Sequence, residues 1–172
     1  MMSRATSRLS LLVLLALGNS GFAAELAVSI ELPRIEVAEY QPPYVAVWIE
    51  REDQTVAATL AVWYDVAGRD GAHWLPDLRQ WWRRSGRTLQ LPIDAVTGAT
   101  RYAGRHELQL ASGREPLDDL PAGSYVLVVE AVREAGGREA VRMPFRWPPE
   151  SEQSTASNGS AELGSVALTL TP

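Results

Sequence analysis

Three observations predict an all-β sandwich, two antiparallel sheets packed face to face. Apolar and polar residues alternate along most of the chain, 13 glycines and 11 prolines punctuate it into short runs, and only one stretch switches to helical spacing. From Glu25, the residues Leu26, Val28, Ile30 and Leu32 alternate with Glu25, Ala27, Ser29 and Glu31, the pattern of a half-buried strand. Tyr44 to Ile49 and Val56 to Tyr64 are richer in apolar residues, and the Arg51-Glu52-Asp53-Gln54 break between them suits a hairpin of two well-buried strands. Leu75 to Ser85 is the exception. Leu75, Leu78 and Trp82 fall at helical spacing, Pro76 suits a first turn, and Gly86 suits a stop. His106, Leu108 and Leu110 then share one strand face. Tyr125 to Val132 is a long β-branched run, and Glu134-Ala135-Gly136-Gly137 turns it back into Val141, Met143, Phe145 and Trp147, alternating with Arg142, Pro144 and Arg146. Glu150 to Ser160 reads as a polar surface loop before a last strand with Val166, Leu168 and Leu170. About seven strands and one short helix result, an immunoglobulin-like antiparallel β-sandwich.

Composition narrows the chemistry. The chain has 172 residues, 46% of them hydrophobic, and a single domain over residues 24–172 buries roughly two thirds of its unfolded surface without staples. With no cysteine, disulfides, thiolate catalysis, cysteine zinc sites and iron–sulfur clusters are excluded. All 16 basic residues are arginines, which removes a Schiff-base lysine and a P-loop lysine. His73 and His106 are the two histidines, too few for a histidine-rich metal site.

Residues 1–23 read as an export signal. Arg4 and Arg8 precede the apolar Leu9–Leu17 stretch, and Gly21-Phe22-Ala23 puts small residues at a cleavage site before Ala24. A lipid anchor would need a cysteine there. The mature chain is therefore expected to be soluble in a bacterial periplasm. Its formal charge of -5 becomes more negative once Arg4 and Arg8 are removed, which argues against nucleic acid as a partner.

One segment carries chemistry: Asp94-Ala95-Val96-Thr97-Gly98-Ala99-Thr100. Its pattern, Asp-x-x-[Ser/Thr]-Gly-Ala-[Ser/Thr], has five restricted positions and occurs by chance in a chain this long on the order of once in a thousand. It resembles the site at which extracytoplasmic electron-transfer proteins, such as flavin-carrying subunits of sodium-pumping quinone reductases, receive covalent FMN. The resemblance implies that Thr100 is the acceptor and that a magnesium-dependent FAD:protein FMN transferase splits FAD and joins the FMN phosphate to its hydroxyl. A threonine hydroxyl is a competent phosphoryl acceptor once a second protein supplies metal and base. Gly98 and Ala99 keep the loop narrow, Thr97 braces it, and Asp94 either organises the turn or meets the transferase.

The likeness extends along the chain. Ile30-Glu31-Leu32-Pro33, Tyr44-Val45-Ala46-Val47-Trp48, Leu78 to Gly86 and Leu120-Pro121-Ala122-Gly123-Ser124-Tyr125 resemble the DUF2271 family of periplasmic proteins over nearly all of the mature chain. Members commonly read Asp-Gly-Val-Thr-Gly-Ala-Thr, and Ala95 here stands in place of the glycine, so a positive φ at Ala95 would be strained. The resemblance implies association with flavin transferases and with membrane redox partners of PepSY type.

Around the motif, Trp82 is expected in the core with Leu75 and Leu78, which leaves Trp81 to reach a flavin. Arg79, Arg83, Arg84 and Arg87 are expected to form a solvated face, while Arg101, next to Thr100, is the arginine for phosphate contact. His73 and His106 receive no catalytic role. Two functions of different class follow: a periplasmic FMN-bearing electron carrier, in which the flavin rather than a side chain does the redox chemistry, or a non-enzymatic structural or binding module. The second rests on Leu120 to Val126, which resembles the start of a strand in immunoglobulin-like domains of flagellar hook-capping proteins. A hydrolase lacks its signatures, with no Gly-x-Ser-x-Gly elbow and no His-Glu-x-x-His helix.

Overall fold

The computed structural model describes residues 23–172, so the expected export signal, Ala23 apart, lies outside the described residues. The strands are β1 (Glu25–Leu32), β2 (Tyr44–Glu50), β3 (Val56–Tyr64), β4 (Thr97–Ala99), β5 (Gly104–Ala111), β6 (Gly123–Val132), β7 (Arg138–Trp147), β8 (Gln153–Asn158) and β9 (Ser165–Thr171). They form a four-stranded sheet in the order β5-β1-β9-β8 and a five-stranded sheet in the order β4-β3-β2-β6-β7. The expected sandwich is present. Its inner core is made by alternate residues of both sheets, including Leu26, Val28 and Ile30 from β1, Val45, Val47 and Ile49 from β2, Leu127 and Val129 from β6, and Val166 and Leu168 from β9. Tyr125, at the start of β6, donates its hydroxyl to the Pro121 carbonyl at 2.8 Å, the tyrosine corner of immunoglobulin-like sandwiches.

The five-stranded sheet is buried on both faces over β3, β2 and part of β6. Its outer face carries Ala46, Trp48, Val62, Tyr64 and Val128, and against them pack Leu75, Leu78, Trp81 and Val96 from the long β3-to-β4 connection. This second core explains why β2 and β3 lack polar alternation: a strand covered on both sides reads as a continuous apolar run. The connection also makes β4 run parallel to β3, with Val62 opposite Thr97 and Tyr64 opposite Ala99. A parallel neighbour needs such a long crossover. Every other pairing among the described residues is antiparallel.

The structure corrects three expectations. Among the described residues there are nine strands rather than about seven, because β4 and β8 were not anticipated. The expected loop over Glu150–Ser160 contains β8, an edge strand whose residues are exposed except for half-buried Ser157. It is held by backbone pairing to β9, and with both faces wet it needs no apolar alternation. The helix expected over Leu75–Ser85 is three pieces: a 3-10 segment Gly71–Asp77, a six-residue α1 (Arg79–Arg84) and a 3-10 turn Gly86–Thr88, with a break at Leu78.

That break reverses the tryptophan assignment. The break at Leu78, where ψ is 68°, resets the phase between the 3-10 segment and α1, so that Leu75, Leu78 and Trp81 face the sheet; Trp81 is fully buried and Trp82 is half-buried at the edge of the cluster. A Cβ on Gly86 would stand 2.6 Å from the Trp81 ring, so a glycine is needed there. Trp81 therefore packs in the core and does not reach a cofactor.

Carboxylates tie the layers together. Glu50 is held by Arg84, Arg142 and the Trp48 indole N–H, and Glu130 accepts the backbone N–H groups of Gln80 and Trp81. Glu139, on β7, accepts the backbone N–H groups of Ser160, Ala161, Glu162 and Leu163 at 2.6–3.0 Å. Burial opposes ionisation of Glu139, but these bonds outweigh it and lower its pKa from 4.5 to about 2. A depressed carboxylate stabilises the fold above its unfolded pKa and loses that contribution as pH falls through the folded value. Glu139→Gln is therefore expected to be less stable than the wild type at neutral pH, with the gap closing from pH 4.5 towards 2. Urea melts across that range check it, and a gap independent of pH would contradict it.

Candidate functional site

The motif begins as a closed turn. Thr97 N–H donates to the Ile93 carbonyl at 2.9 Å, and the Thr97 hydroxyl accepts the Ile93 N–H at 2.9 Å, so Thr97 braces the turn as expected of it. Val96 is buried in the second core, while Asp94 and Ala95 are exposed at the corner. The Asp94 carboxylate makes no hydrogen bond among the described residues, so the turn is closed by Thr97 without it. Ala95 adopts φ 61°, the left-handed conformation that a glycine takes without strain. Ala95→Gly is therefore expected to stabilise the protein by about 0.5–1 kcal/mol, the relief of left-handed strain less the entropy of an added glycine. Equilibrium urea unfolding reads the change, and a loss of stability would contradict it.

Beyond the turn, β3 clamps the motif at both ends. Val62 N–H donates to the Val96 carbonyl at 2.9 Å, and Thr100 N–H donates to the Tyr64 carbonyl at 3.1 Å. Between them, a Cβ on Gly98 would lie 3.3 Å from the Trp63 ring, so a side chain there would press on a core indole. The Arg101 guanidinium covers the same indole at 5.2 Å, a cation–π contact, and His106 meets it edge-on at 5.7 Å. Arg101 thus folds back over Trp63.

Thr100, half-buried, opens onto a groove of about 890 Å³, a size typical of small-molecule sites. Arg101 is not among its walls. The groove lies between the bend after β3, the Gly71–Asp77 segment, the Thr100–Tyr102 stretch and the β6–β7 hairpin. Tyr44 pins its floor, donating its hydroxyl to the Gly71 carbonyl at 3.1 Å. Burial, partly offset by hydrogen bonding, raises the Tyr44 pKa and keeps the phenol a donor. Arg133, on the far wall, is committed to the buried Glu162 at 3.0 Å. Arg69 and Arg79 are exposed on the groove. Of the other arginines in the helical stretch, Arg83 donates to the Arg79 carbonyl and Arg84 pairs with Glu50, so the expected solvated face is only partly so.

Two groove residues escaped the sequence reading. Trp74 is 53% and Tyr102 74% exposed, and both line the groove with Thr100. Tyr102 stands two positions after Thr100, a signal that was available. Trp74 lies more than twenty residues upstream and is brought there by the crossover.

Among the described residues no helix is long and apolar enough to cross a membrane. No curated protein and no solved structure matches the chain. A family described as "Predicted periplasmic protein (DUF2271)" matches residues 25–165, from the first residue of β1 to the first of β9. The match takes in the turn, β4, Thr100 and every wall of the groove. A periplasmic location agrees with the basic and apolar N-terminal segment, and the chain belongs to the DUF2271 family of predicted periplasmic proteins.

Proposed function

We propose that this chain is a periplasmic electron-transfer protein carrying FMN in phosphoester linkage to Thr100. The observation that carries the reading is the setting of the motif: Thr100 follows a three-residue edge strand, has its backbone fixed to Tyr64 and lines an open groove. The residues fit such a group. Thr100 supplies the hydroxyl, Gly98 and Ala99 keep the approach narrow, and the groove has room for an aromatic ring system beside the attachment point. Attachment belongs to a magnesium-dependent FAD:protein FMN transferase. The Thr100 oxygen bonds to the FMN phosphorus, the pyrophosphate bond breaks, AMP leaves, and the hydroxyl proton passes to a base on the transferase. Bound FMN would supply one- and two-electron redox chemistry that no side chain of this chain offers. A membrane partner of PepSY type would exchange those electrons.

Co-expression of the full chain with an active periplasmic flavin transferase tests the proposal. Intact mass should show one FMN-sized addition, and the denatured protein should fluoresce as a flavin. Unmodified polypeptide alone, with a control substrate modified in the same cells, would favour the structural-module reading. Asp94→Ala is expected to lower the modified fraction while leaving the circular dichroism and melting temperature unchanged, because Thr97 closes the turn without Asp94. Undiminished modification would remove Asp94 from transferase recognition.

A further inference from the structure

We propose that the isoalloxazine ring docks in the groove against Trp74 and Tyr102, so that the groove is a flavin seat and Thr100 only its tether. This rests on the flavin reading above and adds the residues that hold the ring.

Large exposed hydrophobic side chains are few among the described residues: Val37, Val66, Trp74 and Tyr102. The two aromatic ones line the groove onto which Thr100 opens. The His73 ring meets Trp74 edge-on at 5.3 Å and 86°, and His106 Nε2 lies 2.8 Å from the Tyr102 carbonyl. The exposed indole and phenol offer flat faces to a heteroaromatic ring, and the His106 bond fixes the backbone that carries the phenol. The polar requirement is met as well. The pyrimidine end of a flavin presents carbonyl acceptors and gains negative charge on reduction, and Arg69 and Arg79 are exposed arginines on this groove. Arg101 is engaged with Trp63 and Arg138 stands 3.8 Å from Glu130, so Arg69 and Arg79 take the polar role at the seat, beside the groove carboxylates Asp65, Asp70, Asp77 and Glu134.

The test compares flavinylated wild type with Trp74→Ala, Tyr102→Ala and the double variant, all at exposed positions where loss of fold is not expected. Intact mass first reads the covalent addition, which concerns Thr100 alone. In the folded wild type the flavin fluorescence should be quenched several-fold relative to the denatured protein, because indole and phenol rings quench a stacked flavin. Each variant should recover part of that intensity and the double variant most of it, with the addition retained. A labelled wild type as bright folded as denatured, or quenching unchanged in the double variant, would overturn the seat while leaving the attachment standing. Should no addition form, free FMN titrated into the unmodified chain keeps the two ideas apart. Quenching that is saturable in the wild type and lost in the double variant supports the seat without the tether, and no saturable quenching overturns it.

Discussion

Thr100→Ala is expected to give a folded protein that carries no flavin after co-expression with an active transferase. The loss should be complete, since the change removes the oxygen to which phosphorus would bond. Stability should fall by no more than about 0.5 kcal/mol, the usual scale for a site without a buried packing or hydrogen-bonding role. Thr100 is half-buried, and its backbone bond to the Tyr64 carbonyl survives in alanine. Thr97 is the competing hydroxyl, and its oxygen is occupied in closing the turn against the Ile93 N–H. Thr97→Ser keeps that contact and should remain modified. Thr100→Ser keeps an acceptor oxygen and should also be labelled, which separates the chemistry of the hydroxyl from the shape of the loop. Intact mass and a peptide map read all three variants. Label on a folded Thr100→Ala chain would overturn the site, and FMN mapped to Thr97 would replace it.

How much of this was legible in the sequence depended on where burial leaves a trace. The alternation in β1 and β7 was readable because each has one wet face, so Leu26, Val28 and Ile30, or Val141, Met143 and Phe145, stand out against polar neighbours. β8 left no such trace, since it is wet on both faces. β4 is three residues long and has its partner in Val62 to Tyr64, more than thirty positions away. The tryptophan pair failed for another reason. A continuous template of 3.6 residues per turn selects Trp82 from Leu75 and Leu78, whereas the break at Leu78 resets the phase of α1 and selects Trp81. At the site, the bracing role of Thr97 was readable because it is local and depends on residue type, whereas for Ala95 only the glycine that the resembling family carries there pointed to the φ of 61°. The exposure of Trp74 and Tyr102 was not, because whether an aromatic side chain faces solvent or core is decided by what the rest of the chain packs against it.

Glu130→Ala is expected to be the most destabilising single change in the helical layer, costing about 2–4 kcal/mol. Glu130 is a fully buried carboxylate near the C-terminal end of β6. It accepts the N–H groups of Gln80 at 3.1 Å and Trp81 at 3.0 Å, and Arg138 Nε stands 3.8 Å away. The first turn of a helix has N–H groups without intrahelical partners. Here Leu78, at the N-cap of α1, has no side-chain oxygen to offer them, so a strand beneath the helix supplies the cap that the helix lacks. A negative charge at this end also suits the local dipole, an effect kept small by the shortness of α1. Alanine would leave those N–H groups without their acceptor over an apolar layer and Arg138 without its counter-ion. For a domain of this size the loss corresponds to roughly 5–15 °C in melting temperature. Glu130→Gln keeps one acceptor oxygen and the side-chain volume, and should lose distinctly less. Because the same segment carries Trp74 and Arg79 to the groove, the alanine variant should also bind free FMN more weakly at temperatures where its strands remain folded. Thermal melts followed by far-ultraviolet circular dichroism and by tryptophan emission read the first part, and a free-FMN quenching titration reads the second. A melting temperature within about 2 °C of wild type, less than 1 kcal/mol on the same scale, would show that Glu130 does not hold α1 to the sheet.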